Sequence, residues 1–209
     1  YSSRGLLSWI HEPSETYDQA LWVTRMAERA ASDGADWVIH ADADEFWIAR
    51  EPGQTLRDVI EVLPAHQPVQ IVKRWNAALH RRHDRADWID PVGIRWFDAA
   101  SENNLGQPLP PKVLHRGRAG VRIDQGNHGL AWPDPSIELN PCEELIILHF
   151  PYRGYSHYAQ KIQKGGRSYS ANPDLPDSLG KTWRSDYLHW MGGRLQRLCR
   201  QRLPRRLEF

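Results

Sequence analysis

The apolar run Trp37-Val38-Ile39 empties into His40-Ala41-Asp42-Ala43-Asp44-Glu45-Phe46, and this junction constrains the fold more than any other stretch. A short strand that ends in three carboxylates within four positions puts them at the carboxyl end of a sheet, the edge where open α/β folds bind ligands. What precedes it agrees. Residues 17–33 read as a helix whose stripe is Tyr17, Leu21, Thr24, Ala27 and Ala31, with Gly34 placed to cap its end and feed a strand over residues 36–41.

The rest of the chain alternates in the same way. A helix over residues 56–63 has Thr55 as N-cap and Asp58 three residues on, and Pro64 ends it. Strands are expected at 69–75, 92–97, 112–115, 121–123 and 144–150, the middle ones weakly marked in a stretch rich in Pro, Gly, Asn and Asp. A helix over 155–164 is expected to stop at Gly165-Gly166, and another over 182–199 to break or kink near Gly192-Gly193. Mixed strands and helices predict an α/β layered fold.

With 209 residues, 40% of them hydrophobic, the chain supports one core rather than two. Its 27 Lys and Arg nearly cancel its 26 Asp and Glu, which argues against a nucleic-acid partner. The local exception is Arg194 to Arg206, with six arginines and no acid: a solvated helix end or tail, or a contact for an anionic membrane surface. Two cysteines without CxxC spacing, Cys142 and Cys199, indicate neither a disulfide framework nor a zinc site and fit a reducing, cytoplasmic setting. The longest apolar run, Leu145 to Leu148, is far below the roughly 18 residues that span a bilayer.

Strand alternation places Asp42 and Asp44 on one side and turns Glu45 away. Two carboxylates so close repel unless a cation lies between them, and hard oxygen ligands suit magnesium or manganese. The competing reading is an Asp-x-Asp loop bonded to nearby backbone. His149 follows an apolar strand and so falls at the same sheet edge, where a neutral imidazole could complete a manganese site. Arg153, Lys161, Lys164 and Arg167 supply cations beside it, either a phosphate-binding lip or a solvated helix face. Gly126-Asn127-His128 presents an imidazole from a tight turn, for chemistry or for a backbone hydrogen bond. Of ten tryptophans, Trp47, Trp75, Trp96, Trp132 and Trp183 lie in or beside expected loops and are the candidates for stacking on a ligand, Trp22 and Trp37 being assigned to packing.

Taken in order, Tyr17-x-Gln19, Asp36-Trp37-Val38-Ile39, Asp42-Ala43-Asp44-Glu45-Phe46, Lys112, Gly126-Asn127-His128, His149-Phe150-Pro151-Tyr152-Arg153, Lys161, Gly165-Gly166 and Trp183-Arg184 resemble a family 2-like glycosyltransferase of the GT-A fold, the group with a DADEF segment and a downstream HFPxR segment. The resemblance implies a GT-A-like, Rossmann-like mixed sheet flanked by helices, a partial catalytic domain over residues 1–190 and a basic helix or tail over 191–209. It implies Asp42 and Asp44 as ligands of Mn²⁺ or Mg²⁺ on a nucleoside-diphosphate sugar, with His149 completing the site. Arg153, Lys161, Lys164 and Arg167 would hold the diphosphate, and Trp47 and Trp75 would stack on sugar or acceptor. The donor is a nucleotide-sugar and the acceptor a glycan or other hydroxyl compound. Family members begin with a strand, helix and strand that cradle the base; that unit would lie before Tyr1, so the expected domain is N-terminally truncated. For the general base, His128 and Asp124 rank together ahead of Glu45. Two other functions stay open: a carbohydrate-binding or degenerate transferase domain without turnover, and a two-metal phosphoesterase, which needs a larger ligand set.

Overall fold

The computed structural model describes residues 4–14, 17–79 and 93–203. Its elements in chain order are α1 (Gln19–Ser32), β1 (Trp37–Ile39), β2 (Glu45–Ala49), α2 (Leu56–Glu61), β3 (Val69–Val72), β4 (Arg74–Ala77), β5 (Phe97–Asp98), β6 (Lys112–Arg116), β7 (Arg122–Ile123), β8 (Leu130–Ala131), β9 (Asn140–Pro141), β10 (Leu145–His149), α3 (Tyr155–Ala171), α4 (Lys181–Met191) and α5 (Leu195–Arg202). A 3₁₀ turn, Gln125–Asn127, joins β7 to β8. One sheet has the order β1-β6-β3-β9, the other β2-β10-β4-β5, and β7 pairs with β8 alone. Both larger sheets are mixed, because β9 runs parallel to β3 and β10 parallel to β4 while the other pairs are antiparallel. The chain is a mixed α/β protein with open mixed sheets flanked by helices.

Three apolar clusters hold these layers. Val72, Leu114 and Ile147 are fully buried between the sheets, with Val59 of α2 against them. Each such side chain contributes roughly 1.5–3 kcal/mol through the apolar area it removes from water. Ala27 of α1 packs on Val38, Val121 and Ile123, which fixes α1 beside β1 and the β7–β8 hairpin. Phe150, Tyr158, Ile162, Leu195 and Cys199 form the third cluster, closing α3 and α5 over the end of the second sheet. The Thr55–Asp58 capping box forms as read from the sequence: Thr55 Oγ1 accepts from the Asp58 amide at 3.2 Å, and Asp58 Oδ2 accepts from the Thr55 amide at 2.8 Å.

Three differences from the sequence reading have physical causes. The strand expected over 69–75 is two strands that switch sheets at Lys73, which stays exposed and pairs with Glu143 at 3.0 Å. Helix α3 does not stop at Gly165-Gly166. A Cβ on Gly165 would lie 2.4 Å from the Trp183 ring, and one on Gly166 would lie 2.3 Å from Tyr187, so these glycines admit α4 at close range. Of the strand expected over 92–97 only Phe97–Asp98 is found, Val92 lying outside the described residues.

The arginine-rich end is also corrected in part. Leu195, Cys199 and Leu203 are buried, so α5 is a packed helix rather than a loose tail. Arg202 makes a bidentate pair with the fully buried Asp186, at 2.7 Å to each oxygen, and that carboxylate also accepts from Tyr158 Oη and Asn104 Nδ2. Arg202 is therefore committed to the fold, while Arg194, Arg197 and Arg200 are exposed; Arg205 and Arg206 lie outside the described residues. No helix among the described residues is long and apolar enough to cross a membrane.

Candidate functional site

The acidic segment is a turn, not a continuation of β1. The Glu45 amide donates to the Asp42 carbonyl at 3.0 Å, and β2 starts at Glu45. The turn breaks strand alternation, so Glu45 does not face away as expected; it is buried beneath the same cations as Asp42. Side-chain exposure is 35% at Asp42, 12% at Asp44 and zero at Glu45.

Three cations meet the three carboxylates, and Lys112 is shared by two of them. Lys112, from the first position of β6 and only 1% exposed, donates to Asp42 Oδ2 at 2.6 Å and to the Gly126 carbonyl at 2.7 Å, and lies 3.5 Å from Glu45. Arg74 of β4 reaches Glu45 at 3.3 Å. Lys161 of α3 donates to Asp44 Oδ2 at 2.5 Å. Burial pushes the Asp44 carboxyl up, yet the Lys161 ammonium, helped by His149, outweighs it and holds the group below the ordinary carboxylate range. At Glu45 burial wins over Lys112 and Arg74, and the carboxyl is raised.

His149 is brought to Asp44 by strand register. It pairs with Glu45 across β10 and β2, and the Phe150 amide donates to the Asp44 carbonyl at 2.9 Å. On the other side of β10 it pairs with Asn76 of β4. The Asn76 amide group donates through Nδ2 to the Glu102 carbonyl, so its Oδ1 faces the imidazole and accepts from His149 Nδ1 at 2.7 Å. The proton is thereby fixed on Nδ1, and Nε2 keeps its lone pair 4.0 Å from Asp44 Oδ2. Burial pushes the imidazole down to about 3, so it is neutral. A histidine whose second nitrogen is held by an outer hydrogen bond is the usual form of a metal-ligating imidazole.

Asp44 and His149 together could offer a divalent cation one hard oxygen and one neutral nitrogen, 4.0 Å apart. Among the described residues no three His, Cys, Asp or Glu side chains stand together as a ready ligand set, nor does the larger set a two-metal site needs. The expectation that Asp42 shares the ion equally with Asp44 is modified by Lys112, which already occupies Asp42 Oδ2; the other oxygen has Gln19 and Asn127 at 3.4 Å.

These groups line one cavity of about 280 Å³, with Asp42, Asp44, Arg74, Asn76, His128 and His149 on its walls. His128 Nδ1 donates to the Pro111 carbonyl at 2.9 Å, which leaves Nε2 as the acceptor nitrogen. Burial, with Arg74 and Lys112 nearby, pushes its imidazole down to about 4. Gly126, at φ +81°, permits this packing, since a Cβ there would lie 2.6 Å from the ring. Asp124 is exposed and does not line the cavity, so the structure separates the two residues ranked together as base.

Arg153, Lys161 and Lys164 border an adjoining cavity that shares Asp42 and Asp44; Arg167 is exposed and borders neither. The tryptophans are redistributed. Trp47 packs on the cluster between the sheets, and Trp75 lies under Arg50 at 6.0 Å, away from both cavities. Trp183 lines both, with the Lys161 ammonium 5.4 Å from its ring centre, and the Tyr17 and Tyr169 rings, on the wall of the first cavity, lie 4.6 Å apart at a 40° tilt. Tyr17 Oη and the Gly126 amide both donate to Gln19 Oε1, tying α1 to the His128 turn. Arg74 and Asn76 escaped the sequence reading; the expected strand ended at residue 75, whereas β4 continues to Ala77 and so puts Arg74 and Asn76, two apart, on one face.

A further buried pair lies behind the turn. His115 Nδ1 donates to the Arg116 carbonyl, so its Nε2 accepts from His40 Nε2 at 3.0 Å, and burial pushes His40 down to about 3. Compared with protein-family models, with curated proteins and with solved structures, the chain matches none.

Proposed function

We propose that this chain carries the catalytic site of a metal-dependent glycosyltransferase of the GT-A type, moving a sugar from a nucleoside diphosphate to an acceptor hydroxyl. The observation that carries the reading is the convergence of Asp44, an Asn76-oriented neutral His149, and the cations Lys161, Lys164 and Arg153 at one strand edge. A bound Mn²⁺ or Mg²⁺ would supply Lewis-acid stabilisation of the departing diphosphate, held by Asp44 and His149. Lys161, Lys164 and Arg153 neutralise diphosphate oxygens. His128 Nε2, kept in its proton-accepting form by burial, takes the acceptor hydroxyl proton. As that oxygen bonds to the anomeric carbon, the bond from that carbon to the diphosphate oxygen breaks and the diphosphate leaves with the electron pair. Trp183 offers the sugar an aromatic face.

Substituting Asp44→Ala should abolish Mn²⁺-dependent turnover of nucleotide-sugar donors while the circular dichroism spectrum stays that of the parent. Turnover at the parental rate in that variant removes the proposed metal role. A second reading, a carbohydrate-binding domain without turnover, draws on the lysine that neutralises each aspartate, since such a pocket is charge-balanced with no ion. Glycan binding that is indifferent to Mn²⁺, with no donor turnover, would favour it.

A further inference from the structure

The two lysine–aspartate pairs at the site differ in kind. Lys112 is 1% exposed and its ammonium is held by two close oxygens, from Asp42 and Gly126, with Glu45 behind them. It has nowhere to go. Lys161 is 25% exposed, projects from α3 on a flexible stem, and its contact on the acidic side is Asp44 Oδ2. Its side chain borders both cavities, and the Trp183 face 5.4 Å away offers the ammonium another resting place. The oxygen it holds is the same one that lies 4.0 Å from His149 Nε2. A divalent ion bound to that oxygen and that nitrogen would compete with the ammonium for the same carboxylate oxygen.

We infer that Lys161 is a displaceable stand-in for the cation: its ammonium neutralises Asp44 until a divalent ion takes the position, and then turns into the adjoining cavity to meet donor phosphate oxygens beside Lys164 and Arg153. This rests on the transferase reading above and adds a sequence of charge exchange to it. Asp44 exchanges one cation for another rather than standing as an uncompensated carboxylate at any stage, and Lys161 is released for phosphate only once the metal has arrived. Metal and donor therefore load in that order, and the same lysine opposes the first step and assists the second.

Mn²⁺ binding followed by electron paramagnetic resonance on the parent, Lys161→Met, Lys161→Arg and Asp44→Asn tests this. A charge-assisted contact of this kind opposes the metal by about 10- to 100-fold, so Lys161→Met should bind Mn²⁺ tighter by about that factor. Lys161→Arg, which keeps a cation, should bind no tighter than the parent, and Asp44→Asn should lose binding. Calorimetry with uridine diphosphate at saturating Mn²⁺ should show the opposite sign, Lys161→Met binding about tenfold more weakly. Partial exposure of the side chain lets Met be accommodated without unfolding, which far-ultraviolet circular dichroism verifies. If Asp44→Asn loses Mn²⁺ but Lys161→Met gains nothing, the stand-in is wrong while the metal reading survives. If neither the parent nor Lys161→Met takes up Mn²⁺, both fall. Unchanged uridine diphosphate affinity in Lys161→Met overturns the second step. Uptake by Lys161→Met where the parent shows none supports the exchange.

Discussion

Replacing Lys112 with Met removes one ammonium from the most deeply buried charge cluster while nearly keeping its volume. The parent ammonium lies 2.6 Å from Asp42 and 3.5 Å from Glu45, and its side chain is 1% exposed. Taking one partner from a buried ion pair costs roughly 3–5 kcal/mol, because the remaining charge is left without compensation. Here Glu45 keeps Arg74 and the Asp42 amide, and Asp42 is 35% exposed and can turn to water. The cost should therefore fall at the lower end, about 3 kcal/mol, or about 6–12 °C in melting temperature for a chain of this size. The pH dependence gives a sharper test. Burial already raises the Glu45 carboxyl in the parent, and loss of Lys112 raises it further. Above that raised value the folded variant carries a poorly compensated carboxylate; below it Glu45 takes up a proton and the penalty disappears. The stability deficit of Lys112→Met should thus shrink as the pH is lowered from neutrality, followed by urea unfolding of both proteins. Melting within about 2 °C of the parent at neutral pH, or a deficit that widens on acidification, would refute the reasoning.

Other expectations follow from the same contacts. Gly166→Ala drives a methyl group to 2.3 Å from Tyr187 and should cost about 1–3 kcal/mol by prising α4 from α3; a melting temperature equal to the parent's would mean the helices are not in that contact. His40 and His128 are held neutral in the fold, at about 3 and about 4 against an ordinary 6.5, so their contribution is complete above pH 6.5 and is lost as pH falls toward those values. With metal chelated, the urea midpoint should drop between about pH 7 and about pH 5 with each histidine contributing up to about 1.4 kcal/mol per pH unit; the slope should be shallower in His40→Gln/His128→Gln, where the buried His149 still contributes, and an unaltered slope contradicts it.

What could be read from the chain alone was what local chemistry decides. The capping box at Thr55 and Asp58, the α1–Gly34–β1 succession and the strand ending at His149 each carry their signal within a few residues. Proximity of His149 to Asp44 was also legible, since both stand at strand ends. Register was not. Asn76 orients His149 only because β4 lies parallel to β10, a pairing made across 73 positions. Gly165-Gly166 reads as a stop until Trp183 and Tyr187 are known to press on it. Lys161 shows why charge alone is ambiguous: a cation near the site attracts a phosphate and a carboxylate alike, and only the fold shows that it rests on Asp44. Glu45 was misplaced for a related reason, because alternation holds within a strand and fails at the turn that opens the next one.

The chain passes directly from the first sheet to the second three times, through residues 40–44, at Lys73 and through residues 142–144. Each passage is a stitch, and peeling one sheet away would tear all three. The two sheets are therefore expected to open together rather than as independent foldons, and amide protons along β1, β3 and β10 should show one shared level of exchange protection. The acidic turn is itself one of the stitches. It inherits the slow breathing of the whole body, where a surface loop of the same length would fray on its own.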